Sequence, residues 1–247
     1  MIVPKLHIIP QRCKSVASSE FPEFPRSVLE VLRQPIEDRI ITVARAKYTV
    51  NYPASFMLVA SMNPCPCGYY GHPTKHCTCL PGAVNKYINK ISGPLLDRID
   101  LQIDIQPVAF DDIANTIPSE SSAAIRERVV KARLIQQERF KNEKGIYSNS
   151  QMNTRLMRKH AWPEAAGLAK LKERMERLSM SARAFDRILR VARTIADLES
   201  ALTLPEVSSA EYASSLSKAV TSPVLTRHIA EAIGYRNLDR SDYGTAY

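Results

Sequence analysis

The sequence predicts an α/β domain followed by an all-helical domain, with the boundary near residues 107–120. Three observations carry this. Residues 55–62, SFMLVASM, are almost continuously apolar, and a run that short and β-friendly is the signature of a central strand covered on both faces. Residues 101–107, LQIDIQP, read as a second short strand. Residues 181–200 then place Phe185, Ile188, Leu189, Ala192 and Ile195 on one helical stripe, with Arg187, Arg190, Arg193 and Asp197 pointing elsewhere.

In chain order, residues 1–19 read as a divergent N-terminal segment, and 14–19 do not make a convincing buried strand. One helix follows within 20–39: Pro25 suits its first turn, Val28, Leu29, Val31 and Leu32 give it an apolar face, and Pro35 ends it. Two β-rich runs from about Ile40 to Val50 predict a hairpin. Past the second strand, residues 111–145 carry Ile125, Val129, Ala132, Ile135 and Gln136 at helical spacing. Further helices are expected at 149–160 and around Leu168 to Leu178. Ser181 is the expected cap of the long amphipathic helix, and Thr226 that of a last helix near 225–236. The serine- and alanine-rich stretch between those two reads as a loop or weak helix. The expected domains are thus an N-terminal segment (1–19), an α/β portion (20–110) and a helical portion (111–247).

The 247 residues, 45% hydrophobic and 24% charged, suffice for one large or two small domains with real cores. No apolar run approaches the ~20 residues of a membrane helix. The N-terminus lacks a long apolar core and a small-residue cleavage site, so no secretory signal and a cytoplasmic location are expected. The net charge is +9, and residues 126–193 alone carry 18 Lys/Arg against 7 Asp/Glu. Such a basic helical half attracts polyanions, DNA among them, though a solvated charge-rich surface reads the same way.

Five residues or groups can carry chemistry. Asn63 stands just past the most buried strand, where open α/β sheets bind ligands. Taken alone, it reads first as a turn residue before Pro64. Arg98 offers fixed donors and a permanent charge suited to a transferred phosphoryl group, with a surface ion pair to Asp97 or Asp100 as the plain alternative. Arg183 opens the amphipathic helix, off its apolar stripe. Glu20, just before a helix, can polarise an attacking water. Finally, four of the five cysteines fall within fifteen residues. Cys65 and Cys67, with Cys77 and Cys79, form two thiolate pairs that can close a tetrahedral structural zinc site, with His72 and His76 as alternates. Free thiols or a disulfide are the competing readings. Cys13 stands apart.

The order of these pieces matters more than any one of them. EFPEFPRSVLEVLRQP from Glu20, ASMNPCPCG with its two cysteine pairs, GPLLDRID, SARAFDRILRVARTIADLE and HIAEAI-x-YR-x-LDR together closely resemble the ComM/YifB family of AAA+ ATPases, related to the magnesium-chelatase ATPase subunit. The resemblance runs from about Glu20 to Arg240. It implies a partial AAA+ core, a parallel sheet lacking its first strands, followed by a helical lid. It also implies roles: Glu20 as the second acidic residue of Walker B, Asn63 as the first sensor, Arg98 as the arginine finger acting on a neighbouring subunit's nucleotide, and Arg183 as the sensor arginine of the lid. ATP with magnesium, ring hexamers and DNA branch migration during natural transformation belong to the family.

The departures are specific. Ser19 stands where the family has the aspartate that helps hold magnesium. No G-x-x-x-x-G-K-[ST] occurs, and no glycine is followed by lysine. The chain is therefore expected not to hydrolyse ATP alone, and to associate with itself or with a partner AAA+ chain. A sheet without its first strands also exposes apolar edges. The rival expectation is a non-enzymatic, zinc-stabilised module that binds nucleic acid or protein. Nothing in the sequence points to a tetrapyrrole.

Overall fold

The computed structural model describes residues 6–11, 13–108, 114, 120–205 and 211–236. The helix expected over 111–119, apart from Ala114, and part of the serine-rich stretch at 206–210 lie outside them. These residues divide into two compact units, one up to Ile99 and the other from Asp100. The result is a small sheet with a parallel strand pair, followed by a helical domain, as expected of a partial AAA+ core with its lid.

In the first unit, β1 (Leu6–Gln11) and β2 (Cys13–Ser18) are antiparallel. The segment that looked unconvincing as a strand is therefore one. Its residues 15–18 find a parallel ladder on β5 (Met57–Ala60), Ser15 opposite Met57 through Ser18 opposite Ala60. The sheet order is β1-β2-β5. The expectation of a central strand covered on both faces is corrected: β5 is terminal among the described residues, and one of its faces is open. Leu58 packs on the core, whereas Met57 and Val59 are exposed.

Between β2 and β5 the chain makes a 3-10 turn (Phe21–Glu23), α1 (Arg26–Val31) and α2 (Arg33–Asp38). Pro35 does not end a helix. It lies in the first turn of α2, where its missing N–H is not needed. Arg39, at φ 60°, closes α2 by donating its N–H to the Pro35 carbonyl at 3.1 Å. The predicted hairpin is present as β3 (Ile40–Arg45) and β4 (Tyr48–Pro53), with Arg45 opposite Tyr48 across a two-residue turn. After β5 come α3 (Ala83–Ile88) and α4 (Gly93–Leu96). Phe21, Leu29, Ile91 and Leu95 form one core, and Cys65, Val84, Tyr87 and Ile88 a second. Met62 packs against both.

The second unit contains α5 (Ser122–Phe140), a 3-10 turn (Asn149–Gln151), α6 (Thr154–His160), α7 (Ala165–Arg177), α8 (Ala182–Leu202), α9 (Tyr212–Val220) and α10 (Thr226–Gly234). Ser121, Asn153 and Ser181 cap α5, α6 and α8 by accepting N–H bonds from Ala124, Leu156 and Ala184 at 3.0–3.2 Å. Thr226 is not the cap of α10. It is the first helical residue, and Glu164 accepts its N–H at 2.8 Å, while His228 Nδ1 accepts the Leu225 N–H at 3.1 Å. The strand expected at 101–107 is reduced to a single bridge, Gln102 with Arg236. Leu101, Ile103 and Ile105 are exposed, with no ladder among the described residues to fix them. On α5, Ala132, Ile135 and Gln136 are buried, but Ile125 and Val129 are not.

The core centres on α8, whose Ile188, Leu189 and Ala192 meet Leu156, Leu171 and Ile229. Two residues expected to point away from that core lie inside it. Asp197 is fully buried and accepts a bidentate pair from Arg139 at 2.6 and 2.7 Å, a bond from Arg193 Nε at 3.0 Å and one from Asn149 Nδ2 at 2.8 Å. Arg193 continues to the His160 carbonyl at 3.3 Å and the Ser222 hydroxyl at 2.8 Å. One carboxylate thereby ties α5, α8 and the connections on either side of them.

His160 sits beside this network, edge-on to Phe140 with ring centroids 6.0 Å apart. Burial, with Arg139 and Lys159 nearby, pushes its imidazole down to about 4. The unfolded chain takes up that proton near 6.5, so the stability held by neutral His160 is complete above that pH and is lost as pH falls towards 4. The melting temperature of the helical unit is expected to fall across that window in thermal scans at stepped pH. His160→Gln should flatten the upper part of the fall.

Candidate functional site

Two of the sequence candidates follow neighbouring strands at the same end of the sheet. Glu20 follows β2 by two residues and Asn63 follows β5 by three, and these strands are adjacent and parallel. The ladder continues past both ends: Ser61 donates its N–H to the Ser18 carbonyl and Phe21 donates to the Ser61 carbonyl, each at 2.9 Å. A carboxylate and an amide are thus carried side by side at the carboxyl ends of neighbouring strands, where α/β sheets place ligands. Glu20 has φ 55° and ψ 47°, a left-handed conformation that is uncommon outside glycine, asparagine and aspartate. Such strain concentrates at functional positions. Asn63 is exposed.

Arg98 is largely buried within the first unit. It is 8% exposed and ion-paired with Glu37, and its Nη1 donates to the Pro94 carbonyl at 2.7 Å. Asp100 accepts from Arg187 at 2.7 Å. Arg98 lines an open cleft of about 350 Å³ with Glu30, Arg33, Gln34, Glu37 and Asp38. Arg183 lies in the other unit, exposed in the first turn of α8.

The four cysteines converge. Their sulfurs all lie within 4.8 Å of one another; Cys65 is 3.3 Å from Cys67 and 3.7 Å from Cys77, and Cys67 is 3.5 Å from Cys77. Zinc–sulfur bonds of ~2.3 Å at tetrahedral angles put sulfurs ~3.8 Å apart, so the donor set fits a metal ion of that size. Gly68 and Gly71, both at positive φ, turn the loop back on itself. His72 is not among the converging ligands. Its Nδ1 accepts the N–H of Thr74 and of Lys75, each at 3.2 Å, and His76 also lies outside the cluster.

Crowding separates the thiols. A backbone bond at Tyr69, helped by a second at Thr78, lowers Cys67 to about 5. Cys79 is favoured as thiolate by a backbone bond at Cys67, but burial and the neighbouring sulfurs outweigh that and push it up to about 12. One thiolate suppresses the next, and a dication relieves that repulsion.

The residues present do not complete a magnesium–triphosphate site. Ser19 supplies no carboxylate, no phosphate-binding loop occurs in the sequence, and the Arg98 guanidinium is engaged by Glu37. Sequence reasoning missed the Glu37–Arg98 pair and the Asp197 network. The first joins residues far apart in the chain and has no local signature. The second had one faint signal, an arginine and an aspartate four apart on a helix.

Comparison with known proteins agrees with the geometry. Residues 17–113 match the family described as magnesium chelatase, subunit ChlI, and 119–215 match its C-terminal counterpart. The competence protein ComM of Haemophilus influenzae is 36% identical over 90% of this chain and 38% of its own length. The uncharacterized protein YifB of Escherichia coli K12 is 35% identical over the same shares. The uncharacterized protein Mb2921c of Mycobacterium bovis is 36% identical over 72% of this chain and 35% of its own length. The chain thus spans under two fifths of the length of these relatives. It belongs to the magnesium-chelatase-like family that includes ComM and YifB.

Proposed function

We propose that these 247 residues are the sensor-strand and lid portion of an AAA+ ATPase of a DNA-processing motor, and that they contribute residues to a nucleotide site that they do not complete alone. The observation that carries this reading is the placement of Glu20 and Asn63 at the ends of adjacent parallel strands. Glu20 orients and deprotonates a water, Asn63 holds it without adding negative charge, and Arg98 offers its guanidinium to a neighbouring subunit once released from Glu37. Arg183 acts from the lid. The cysteine cluster holds a structural zinc, since four protein ligands leave no open position. The phosphate-binding loop lies outside these 247 residues, the assembly is a ring in the cytoplasm, and the basic surface of residues 126–193 faces DNA, as the resemblance to a competence protein suggests.

The test is complementation. The 247-residue chain with magnesium and ATP is expected to show no turnover. A full-length family ATPase whose arginine matching Arg98 is replaced by alanine should regain turnover when this chain is added, and should not when the Arg98→Ala chain is added. Turnover by the chain alone, abolished by Asn63→Ala, would contradict the reading. A non-enzymatic, metal-stabilised binding module is the second reading, favoured by the engagement of Arg98 with Glu37. Failed complementation with intact DNA binding would select it.

A further inference from the structure

Between Asp38 and Asp97 the chain carries no aspartate or glutamate, although it has 25 acidic residues in all. The basic residues of that stretch are Arg39, Arg45, Lys47, Lys75, Lys86 and Lys90. The cysteine loop lies inside it. Between its cysteine pairs, Tyr69 is 38% exposed. The Lys75 ammonium stands 4.9 Å from the centre of its ring, and His72 meets the ring edge-on at 5.9 Å. His72 is itself held by the two backbone bonds from Thr74 and Lys75. The base of the loop is pinned by the Tyr70 N–H, which donates to Cys65 Sγ at 3.3 Å. An aromatic ring and a cation are therefore displayed together on a short, cross-braced loop with no carboxylate of its own.

That combination has a specific partner chemistry. Repulsion by phosphate is absent, lysine attracts it, and a half-exposed tyrosine offers a stacking surface that any base can use. A base paired within a duplex cannot present its face to such a ring, whereas a single strand can. We propose that the cysteine loop is a contact for single-stranded nucleic acid, with Tyr69 stacking on a base and Lys75 pairing with an adjacent phosphate. The inference stands apart from the metal assignment and from the basic surface of the helical unit.

The experiment uses the whole chain and a fluorescently labelled oligothymidylate, with binding followed by anisotropy over a range of salt and zinc content measured for every variant. Tyr69→Ala is expected to weaken binding roughly 5- to 150-fold, the span of one lost base stack, while Tyr69→Phe keeps most of the affinity. Lys75→Ala should lower the slope of log affinity against log salt by about 0.7, one phosphate contact on a single strand. Equal affinity of Tyr69→Ala and parent, with zinc retained in both, overturns the inference and leaves the metal assignment standing. So does an equal loss on a duplex of the same length. If the parent holds no zinc, the metal assignment fails, and the difference between the alanine and phenylalanine variants still decides the contact.

Discussion

Asp197→Ala is expected to unfold the helical unit under conditions where the parent chain is intact. The carboxylate is fully buried between Arg139 and Arg193, with Asn149 as a third donor. Removing it strands two arginine side chains that are themselves 0% and 2% exposed. Breaking a buried pair from one side costs about 3–5 kcal/mol, a large share of the ~5–15 kcal/mol that stabilises a typical domain. Asp197→Asn keeps the shape and some acceptor capacity but loses the charge, so its loss should be smaller though still large. Glu138→Ala, which breaks an exposed pair with Lys141, should change stability by no more than about 0.5 kcal/mol. Urea unfolding followed by helical circular dichroism distinguishes the three. Near-parental stability of the alanine variant would mean that the network does not organise the fold.

Metal removal is expected to have an effect of similar size, confined to the first unit. About one zinc per chain should co-purify when chelators are avoided. Cys65→Ser should lower zinc retention most. Cys65 is wholly buried within a core that includes Val84, Tyr87 and Ile88, so losing its bond disturbs packing and coordination together. Because structural zinc contributes directly to folding free energy, chelation should release the segment from Met62 to Ile88 as a unit. Hydrogen exchange there should rise by orders of magnitude, with little change in α8. Unaltered exchange after the metal has been stripped would show that the cores hold the loop unaided.

How much of this was legible in the sequence depended on range. The caps Ser181 and the α8 stripe were readable because each is a local pattern at helical spacing. The cysteine cluster was readable because its ligands lie within one loop. The ComM/YifB resemblance gave the α/β-then-helical order. Local pattern failed where tertiary pairing decides. Residues 15–18 form a strand because β5 lies beside them, and residues 101–107 pattern as a strand but have no ladder to join. Pro35 was misread because a proline marks either a helix end or a first turn, and only the break at Leu32 tells which. Arg193 looked like surface because a charge off the apolar stripe normally is, and its counter-ions come from other elements.

The outer flank of β5 has a consequence for how the molecule behaves in company. From Tyr48 to Thr74 there is not one formal charge, and nothing described beyond Met57 and Val59 shields that strand. Backbone groups presented this way recruit whatever extended peptide arrives first. The chain's solubility is therefore tied to the company it keeps: a matching strand turns the flank into sheet interior, and crowding without one turns it into a seed for precipitation.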